Sequence, residues 1–106
     1  MADFDEARES VFEAELRSMV LAIARGFSCQ IFLFGSRARK ESRRTSDFDI
    51  GVTGLSAKQF GSLKGLIEEA VEESRIPHRV DVVDFDRVDA AFRDLAERDK
   101  VEWKSA

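Results

Sequence analysis

The chain has 106 residues and a formal net charge of −4, with 43% hydrophobic and 36% charged residues. This length predicts a single domain over residues 1–106 with one hydrophobic core. The acidic balance argues against a surface built throughout to bind nucleic acid. No apolar stretch approaches the roughly 20 residues that span a bilayer, and the acidic N-terminus does not have the pattern of a signal peptide. We therefore expect a soluble, cytoplasmic protein with no membrane association.

The first part of the chain predicts a helix and then a buried strand. Between residues 6 and 27, apolar residues recur at helical spacing with Glu and Arg between them, and Gly26 is placed to end the helix. The apolar run 30–34 predicts a buried strand that closes at Gly35. Residues 37–41, which follow it, have the length of a brief helix.

A second strand and a second helix follow in the sequence. Residues 47–52 predict a strand, and the first four of them alternate between Asp and an apolar side chain. A strand there puts Asp47 and Asp49 on one face. Ser56 and Gln59 have the spacing of a capping box, which predicts the start of the helix. The apolar residues after it recur at helical spacing and give this helix one buried stripe.

The last third of the chain predicts a strand, then a helix, then an end with two interpretations. Pro77 stops the second helix, and residues 79–85 predict a third strand. Asp86 is the predicted cap of the helix that follows. Val101 and Trp103 alternate as in a short strand and equally fit a continuation of that helix. The order of elements predicts an α+β fold, close to α/β, with one compact sheet covered by helices.

The Gly35-Ser36 pair directly follows the first predicted strand. Gly35 lets the backbone approach a ligand closely, and Ser36 offers a hydroxyl and an amide at a predicted helix start, where free N–H groups favour anions. Transfer of a phosphoryl or nucleotidyl group requires such a hold on a triphosphate. The pair by itself is more typical of an ordinary turn with a helix cap.

Asp47 and Asp49 lie roughly 6 to 7 Å apart along the predicted strand, so their carboxylates converge on one side. Two such carboxylates repel each other without a cation, and Mg²⁺, which prefers oxygen ligands, is the natural partner. Asp is also disfavoured in strands, so two of them in one strand call for a reason. A half-exposed edge strand with a solvated face is the alternative explanation.

Asp81 stands between two valines in a strand that otherwise has a buried pattern. A carboxylate there is costly unless it meets a cation or hydrogen-bond donors. In a strand next to Asp49 it would bind a metal and accept the proton of an attacking hydroxyl. Asp84 is the competing candidate, but it lies nearer to the turn and faces the opposite side of the strand, so we prefer Asp81.

Taken jointly, these residues resemble a known signature. The run GSRAR at 35–39, the ten residues between Ser36 and Asp47, and the run DFDI at 47–50 are similar to the pattern of the minimal nucleotidyltransferases, a branch of the DNA polymerase β superfamily. The resemblance implies a nucleotidyltransferase fold with a mixed sheet packed by helices. It also implies two Mg²⁺ ions and ATP as the nucleotide donor.

The resemblance assigns roles to the residues that match the signature. Gly35 and Ser36 would bind the triphosphate, Asp47 and Asp49 would bind the metals, and Asp81 would be the third carboxylate of the metal and catalytic set. The loop that begins at Lys40 departs from the pattern, since relatives usually have a glycine or an acidic residue there. Its contacts with a nucleotide are therefore left open.

A basic stretch between residues 37 and 44 indicates one bound anion, and Arg37 and Arg43 are the predicted nucleotide-binding residues within it. Arg37 and Arg39 point in different directions on a short helix, so one of them can pair with a carboxylate or stay solvated instead. For Arg43 the alternative is a solvated loop. His78 and Cys29 receive no role; Cys29, as the only cysteine, is interpreted as a buried thiol.

Small proteins of this branch are commonly antitoxins of HEPN-domain ribonuclease toxins, so the resemblance implies transfer of AMP to a tyrosine hydroxyl of a HEPN-type partner. The chain contains no tyrosine, so such an acceptor lies on another molecule. Two other functions stay open: transfer to a small molecule, and neutralisation of the partner by contact alone. The sequence settles neither the base preference nor the oligomeric state, and an oligomer with itself or with the partner is possible.

Overall fold

The computed structural model describes residues 6–39 and 47–105. In chain order these residues form α1 (Glu6–Ala24), β1 (Gln30–Phe34), β2 (Phe48–Thr53), α2 (Ala57–Glu72), β3 (Val80–Asp84), α3 (Ala90–Glu97) and β4 (Val101–Lys104). The strands make one sheet in the order β3-β2-β1-β4, with β1 antiparallel to β2 and to β4, and β2 parallel to β3. The expected α+β fold with helices packed on a small mixed sheet is thereby confirmed.

The helices end and begin at residues that carry local signals. α1 ends at Ala24, where Phe27 N–H donates to the Ala24 carbonyl at 2.9 Å. α2 begins at the predicted capping box, in which Gln59 N–H donates to Ser56 Oγ at 3.1 Å and Ser56 N–H donates to Gln59 Oε1 at 3.0 Å. None of the helices in residues 6–39 and 47–105 combines the length and the apolar character of a membrane span.

Side-chain alternation gives the sheet two different faces. One face, which we call the helix face, packs against α1 and α2 and forms the main core. Its members include residues of β1, β2 and β3 together with Leu16, Val20, Leu63 and Ile67 of the two helices. In β2, the buried side chains of Phe48, Ile50 and Val52 belong to this core. Asp49 and Gly51 alternate with them and therefore face the opposite side.

The opposite face, which we call the open face, carries a smaller aromatic cluster. Phe32, Phe34 and Phe85 are buried there, and the ring centroids of Phe85 lie 4.8 Å from Phe32 and 4.9 Å from Phe34 in edge-to-face geometry. A Cβ at Gly51 would overlap ring atoms of Phe32 and Phe85. The glycine in β2 thus leaves the space that these rings fill, beside the strand position of Asp49.

The start of α3 differs from the sequence prediction. Its cap is Asp89, whose side chain accepts from Phe92 N–H at 2.9 Å. The expectation that Asp86 caps the helix was wrong, because the chain makes a turn after β3 before the helix begins. Asp86 Oδ2 instead accepts from Gly54 N–H at 2.7 Å, which ties the turn after β3 to the turn after β2.

For two further segments, the sequence either left two interpretations open or predicted a longer element than the structure describes. Val101–Lys104 is a strand that pairs with β1, with Trp103 buried, so the strand interpretation of the C-terminal residues is the correct one. After β1, residues 36–39 form a turn in which Arg39 N–H donates to the Gly35 carbonyl at 3.2 Å. The expected brief helix is a single turn over these residues, and the rest of its span lies outside the described ranges.

Candidate active site

The register of the sheet places Asp49 next to Asp81. They are paired residues of the parallel strands β2 and β3, and neighbouring strands lie about 4.8 Å apart. Both side chains are partly buried on the open face. Asp47 is also partly buried and directly precedes β2. The structure thus brings the three predicted carboxylates to one end of two adjacent strands.

Burial and the neighbouring carboxylates both raise the pKa of Asp49. Burial, followed by the negative charges of Asp81 and of Asp47, raises its pKa from 3.8 to about 6, while the positive charge of Arg39 opposes the rise. Asp81 itself pairs with the exposed Arg79, Oδ1 to Nε at 3.2 Å, and the Asp81 side chain is 39% exposed. Near neutral pH this cluster therefore favours a bound cation.

The Gly35-Ser36 turn lies directly against this carboxylate. Phe34, the residue before the turn, pairs with Asp49 across β1 and β2. Gly35 has a φ of +78°, and a Cβ built on it would lie 2.5 Å from Asp49 Oδ2. A glycine is needed here both for the backbone conformation and for the space. The predicted phosphate turn and the predicted metal carboxylate are therefore in van der Waals reach of each other.

We expect Gly35→Ala to lower the nucleotidyl transfer that the resemblance implies roughly 100-fold, because the methyl group displaces the Asp49 carboxylate and a shift of about 1 Å at a reacting centre has an effect of that order. The positive φ adds a strain of about 1–2 kcal/mol. Initial rates under saturating nucleotide measure the effect. Gly61→Ala is the matched control, since a Cβ at Gly61 meets nothing within 4 Å. Equal rates for the two variants would contradict this assignment.

An open cleft of about 870 Å³ lies beside these carboxylates. This volume falls within the range of about 300 to 1,000 Å³ that is usual for small-molecule sites. The strands contribute Asp49, Asp81 and Phe34 to its lining, α2 contributes Lys64, Glu68 and Glu72, and α3 contributes Phe92. The cleft therefore has room for a nucleotide or a side chain of an acceptor next to the carboxylates.

Arg37 lies on the other side of the sheet. It is buried, its Nη1 donates to Glu9 Oε1 of α1 at 2.7 Å, and its guanidinium lies 4.3 Å from the centroid of the Phe48 ring. His78 Nε2 is 2.8 Å from the same Glu9 oxygen. Because Phe48 belongs to the helix face, these contacts point away from Asp49. The sequence left open whether Arg37 or Arg39 pairs with a carboxylate. Arg37 does so, and its partner is Glu9.

Glu9 is the member of this cluster that the sequence prediction missed. Burial opposes its ionisation, but hydrogen bonds from Arg37 and His78, together with their charges, leave the pKa of Glu9 lowered. A signal was present, since Glu9 lies three residues before Phe12 and seven before Leu16 and so falls on the buried stripe of α1. A carboxylate on such a stripe requires a cationic partner.

The remaining residues of the predicted phosphate site are Ser36 and the arginines that follow it. Ser36 is partly buried in the turn beside Asp49, and Arg39 is exposed. Arg39 is the cation whose charge acts on Asp49, a role that the sequence did not assign to it. Arg43, predicted to bind the nucleotide, lies outside the described residues. Among the arginines of the described ranges, the structure therefore brings Arg39 rather than Arg37 toward the carboxylates.

The carboxylates do not form a closed metal cage. In the parts of the chain that the structure describes, no three His, Cys, Asp or Glu side chains are arranged to hold an ion by themselves. Mg²⁺ is usually bound by one or two carboxylates and completed by substrate phosphates and water. Asp49 with its acidic neighbours, set against a turn that a Cβ would block, fits that kind of site.

Comparison with known proteins supports the family resemblance that the sequence signature indicates. Residues 29–101 match the family model "Polymerase beta, Nucleotidyltransferase". The "Probable protein adenylyltransferase MntA" of Haemophilus influenzae is 27% identical over 92 residues, which cover 81% of this chain and 80% of that protein. A crystal structure of a toxin-antitoxin with AMP-PNP has a TM-score of 0.64 at 20% identity, covering 85% of this chain and 73% of its own. A structure assigned as a minimal nucleotidyltransferase has a TM-score of 0.57 at 24% identity, covering 87% and 92%.

Proposed function

We propose that this chain, which belongs to the polymerase beta nucleotidyltransferase family, is an antitoxin. In this proposal it transfers AMP from ATP to a hydroxyl group on a partner toxin. The observation that carries the proposal is the placement of Asp49 beside Asp81 and against the Gly35 turn. The printed name of the Haemophilus influenzae relative, a protein adenylyltransferase, supports the reaction. The toxin-antitoxin with AMP-PNP supports the nucleotide and the kind of partner.

In this proposal the triphosphate lies along the turn after β1. Gly35 lets the backbone approach it, and Ser36 contributes its hydroxyl and N–H groups. Arg39 adds positive charge from the described part of the chain, and Arg43 remains a predicted contact. We leave Arg37 out of the proposed phosphate contacts, because its guanidinium is paired with Glu9 on the helix face.

Asp47 and Asp49 would hold Mg²⁺, with Asp81 as the third carboxylate. When bound, Mg²⁺ neutralises charge on the phosphates during the reaction. The acceptor oxygen attacks the α-phosphorus, a new P–O bond forms, and the bond to pyrophosphate breaks. Asp81 accepts the proton of the attacking hydroxyl. Its exposure on an edge strand leaves it accessible to a group that enters from the cleft.

The acceptor is proposed to be a tyrosine of a HEPN-type toxin. This chain contains no tyrosine, so modification of its own tyrosine is excluded. The cleft opens beside Asp81 and has room for a side chain of another protein. Capture of the acceptor from a partner is consistent with that geometry.

We expect the wild-type chain, incubated with Mg²⁺, ATP labelled in the α-phosphate and its partner toxin, to transfer label to the toxin. The variant Asp47→Asn with Asp49→Asn should transfer none, because the charges that hold the metal are removed. Intact-mass measurement of the toxin would show an increase of one AMP unit for each transfer. Asp99→Asn, an exposed acidic residue away from the cleft, serves as the matched control.

Two outcomes would reject this proposal. A folded toxin that binds the chain and is never labelled would exclude it as the acceptor. A double variant that neutralises the toxin as well as the wild type does, while binding it normally, would show that contact is sufficient.

A further inference from the structure

Phe92 is an apolar side chain that borders the cleft beside Asp49 and Asp81. It lies in the first turn of α3. Phe34 and Val83 line the cleft on the same face of the sheet as Phe92, whereas Lys64 and Glu68 line it from α2, which packs on the other face. Phe92 is 39% exposed. Part of the Phe92 ring therefore remains accessible from the cleft.

The aromatic cluster of the open face holds this ring in place. The Phe92 centroid lies 5.6 Å from Phe85 and 6.0 Å from Phe34, which are both buried. The Phe34 contact is edge-to-face, at an interplanar angle of 88°. Phe34 is also the residue that pairs with Asp49 across the sheet. Phe92 is therefore held by two buried rings, and one of them, Phe34, lies next to Asp49 in the sheet.

Leu95 is another exposed apolar residue of α3 and can be compared with Phe92. Leu95 lies three residues after Phe92 and is 62% exposed, but it does not line the cleft. α3 buries no side chain completely. The exposure of Leu95 is that of an ordinary surface residue, whereas the exposed part of Phe92 borders the cavity where the reaction is proposed to occur.

We propose that Phe92 is a ring-binding wall of the cleft that packs against the planar aromatic group of a substrate. Small-molecule sites commonly combine a few polar groups that fix orientation with an apolar wall that seats a ring. Two substrates could supply the ring: the phenol of a tyrosyl acceptor and the nucleobase of the donor. The choice between these two candidates rests on the proposed function, but the binding of a planar ring does not.

The test compares Phe92→Leu and Phe92→Trp with Leu95→Ala in the full chain. Leu keeps an apolar side chain but is not planar, whereas Trp keeps a planar face. Dissociation constants are measured for ATP, for inorganic triphosphate and for N-acetyltyrosinamide. We expect Phe92→Leu to weaken binding of one ring-containing probe about 2- to 10-fold, Phe92→Trp to retain it, and Leu95→Ala to match the wild type. Thermal unfolding of each variant confirms that it is folded at the temperature used.

The probes separate the two sources of the ring. Weaker binding of ATP with unchanged binding of triphosphate assigns the wall to the nucleobase. Weaker binding of N-acetyltyrosinamide with unchanged ATP assigns it to the acceptor. If all three variants bind both ring-containing probes as the wild type does, the proposal is wrong. These are binding measurements, so a lack of AMP transfer to the toxin would reject the proposed function without deciding the role of Phe92.

Discussion

Asp49→Asn is expected to slow nucleotidyl transfer at least about 100-fold and at the same time to stabilise the metal-free protein at pH 7. The pKa of Asp49 is raised to about 6 from 3.8 by burial and by the charges of Asp81 and Asp47. Its carboxylate is therefore ionised at pH 7 in a place that disfavours the charge. Asparagine keeps the shape and removes the charge. We expect a gain on the order of 1–3 kcal/mol in the free energy of unfolding.

The sign of the pH dependence follows from the same shift. The folded protein binds the Asp49 proton more tightly than the unfolded chain does, so this group contributes stability that is fully present below about pH 4. That contribution is lost as the pH rises toward and through about 6. Urea unfolding in EDTA at pH 4, 5, 6 and 7 should show the wild type falling progressively below the Asp49→Asn variant, with the largest difference at pH 7.

Mg²⁺ with ATP should reverse this order. A ligand that binds only the folded state stabilises it in proportion to the logarithm of its concentration over the dissociation constant. Only the wild type retains the Asp49 charge proposed to hold the metal, so only it should gain substantially. We expect transfer by the variant to be at least about 100-fold slower, since charge stabilisation by a metal is worth several kcal/mol.

Asp84→Asn is the control for this experiment. Asp84 is in the strand next to β2 and accepts from Arg87 Nη1 at 2.7 Å, and it does not line the cleft. Its replacement removes an ion pair, so we expect no gain in stability at pH 7 and near-normal transfer. Loss of transfer in both variants, or no stability difference between Asp49→Asn and the wild type, would contradict the role assigned to Asp49.

The main elements of the fold follow from local patterns in the sequence. The capping box of Ser56 and Gln59 and the apolar run of β1 were sufficient to predict α2 and the first strand. Strand alternation put Asp81 and Asp84 on opposite faces, and Asp81 was preferred because Asp84 lies nearer to the turn. That Asp81 lies beside Asp49 depends on the parallel pairing of β2 with β3 across an intervening helix. Local patterns in the sequence do not specify this pairing.

Other features depend on contacts between distant residues. The strand at Val101–Lys104 is decided by its pairing with β1, because four alternating residues also fit the end of a helix. Asp86 and Asp89 are both good helix caps, and only the path of the turn decides between them. The partner of Arg37 is 28 positions away in α1, and a periodicity that considers only apolar residues passes over Glu9.

Arg37→Met is expected to lower the free energy of unfolding by about 3 kcal/mol, as is usual when one partner of a buried ion pair is removed. The side chain of Arg37 is 2% exposed and that of Glu9 is 13% exposed. The substitution leaves the Glu9 carboxylate without its 2.7 Å contact and removes the cation that lies over the Phe48 ring. Thermal unfolding at pH 7 should show a fall in Tm of roughly 10 to 20 °C.

Arg79→Met provides the comparison for an exposed pair. Arg79 and Asp81 are in contact at 3.2 Å, but their side chains are 75% and 39% exposed. Such pairs contribute at most about 1 kcal/mol, because water screens them. A stability loss for Arg37→Met no larger than that for Arg79→Met would mean that the Glu9 contact contributes little.

The double variant Glu9→Gln with Arg37→Met separates the two roles considered for Arg37. If pairing with Glu9 is its main role, removal of the Glu9 charge recovers part of the stability, because no carboxylate is left buried without its partner. ATP affinity, measured at a temperature where every variant is folded, then changes little in the single and the double variant. If Arg37 neutralises phosphate, ATP affinity falls equally in both and is not recovered. Because Arg37 packs on the Phe48 side of β2, opposite Asp49, we expect recovered stability with near-normal ATP affinity.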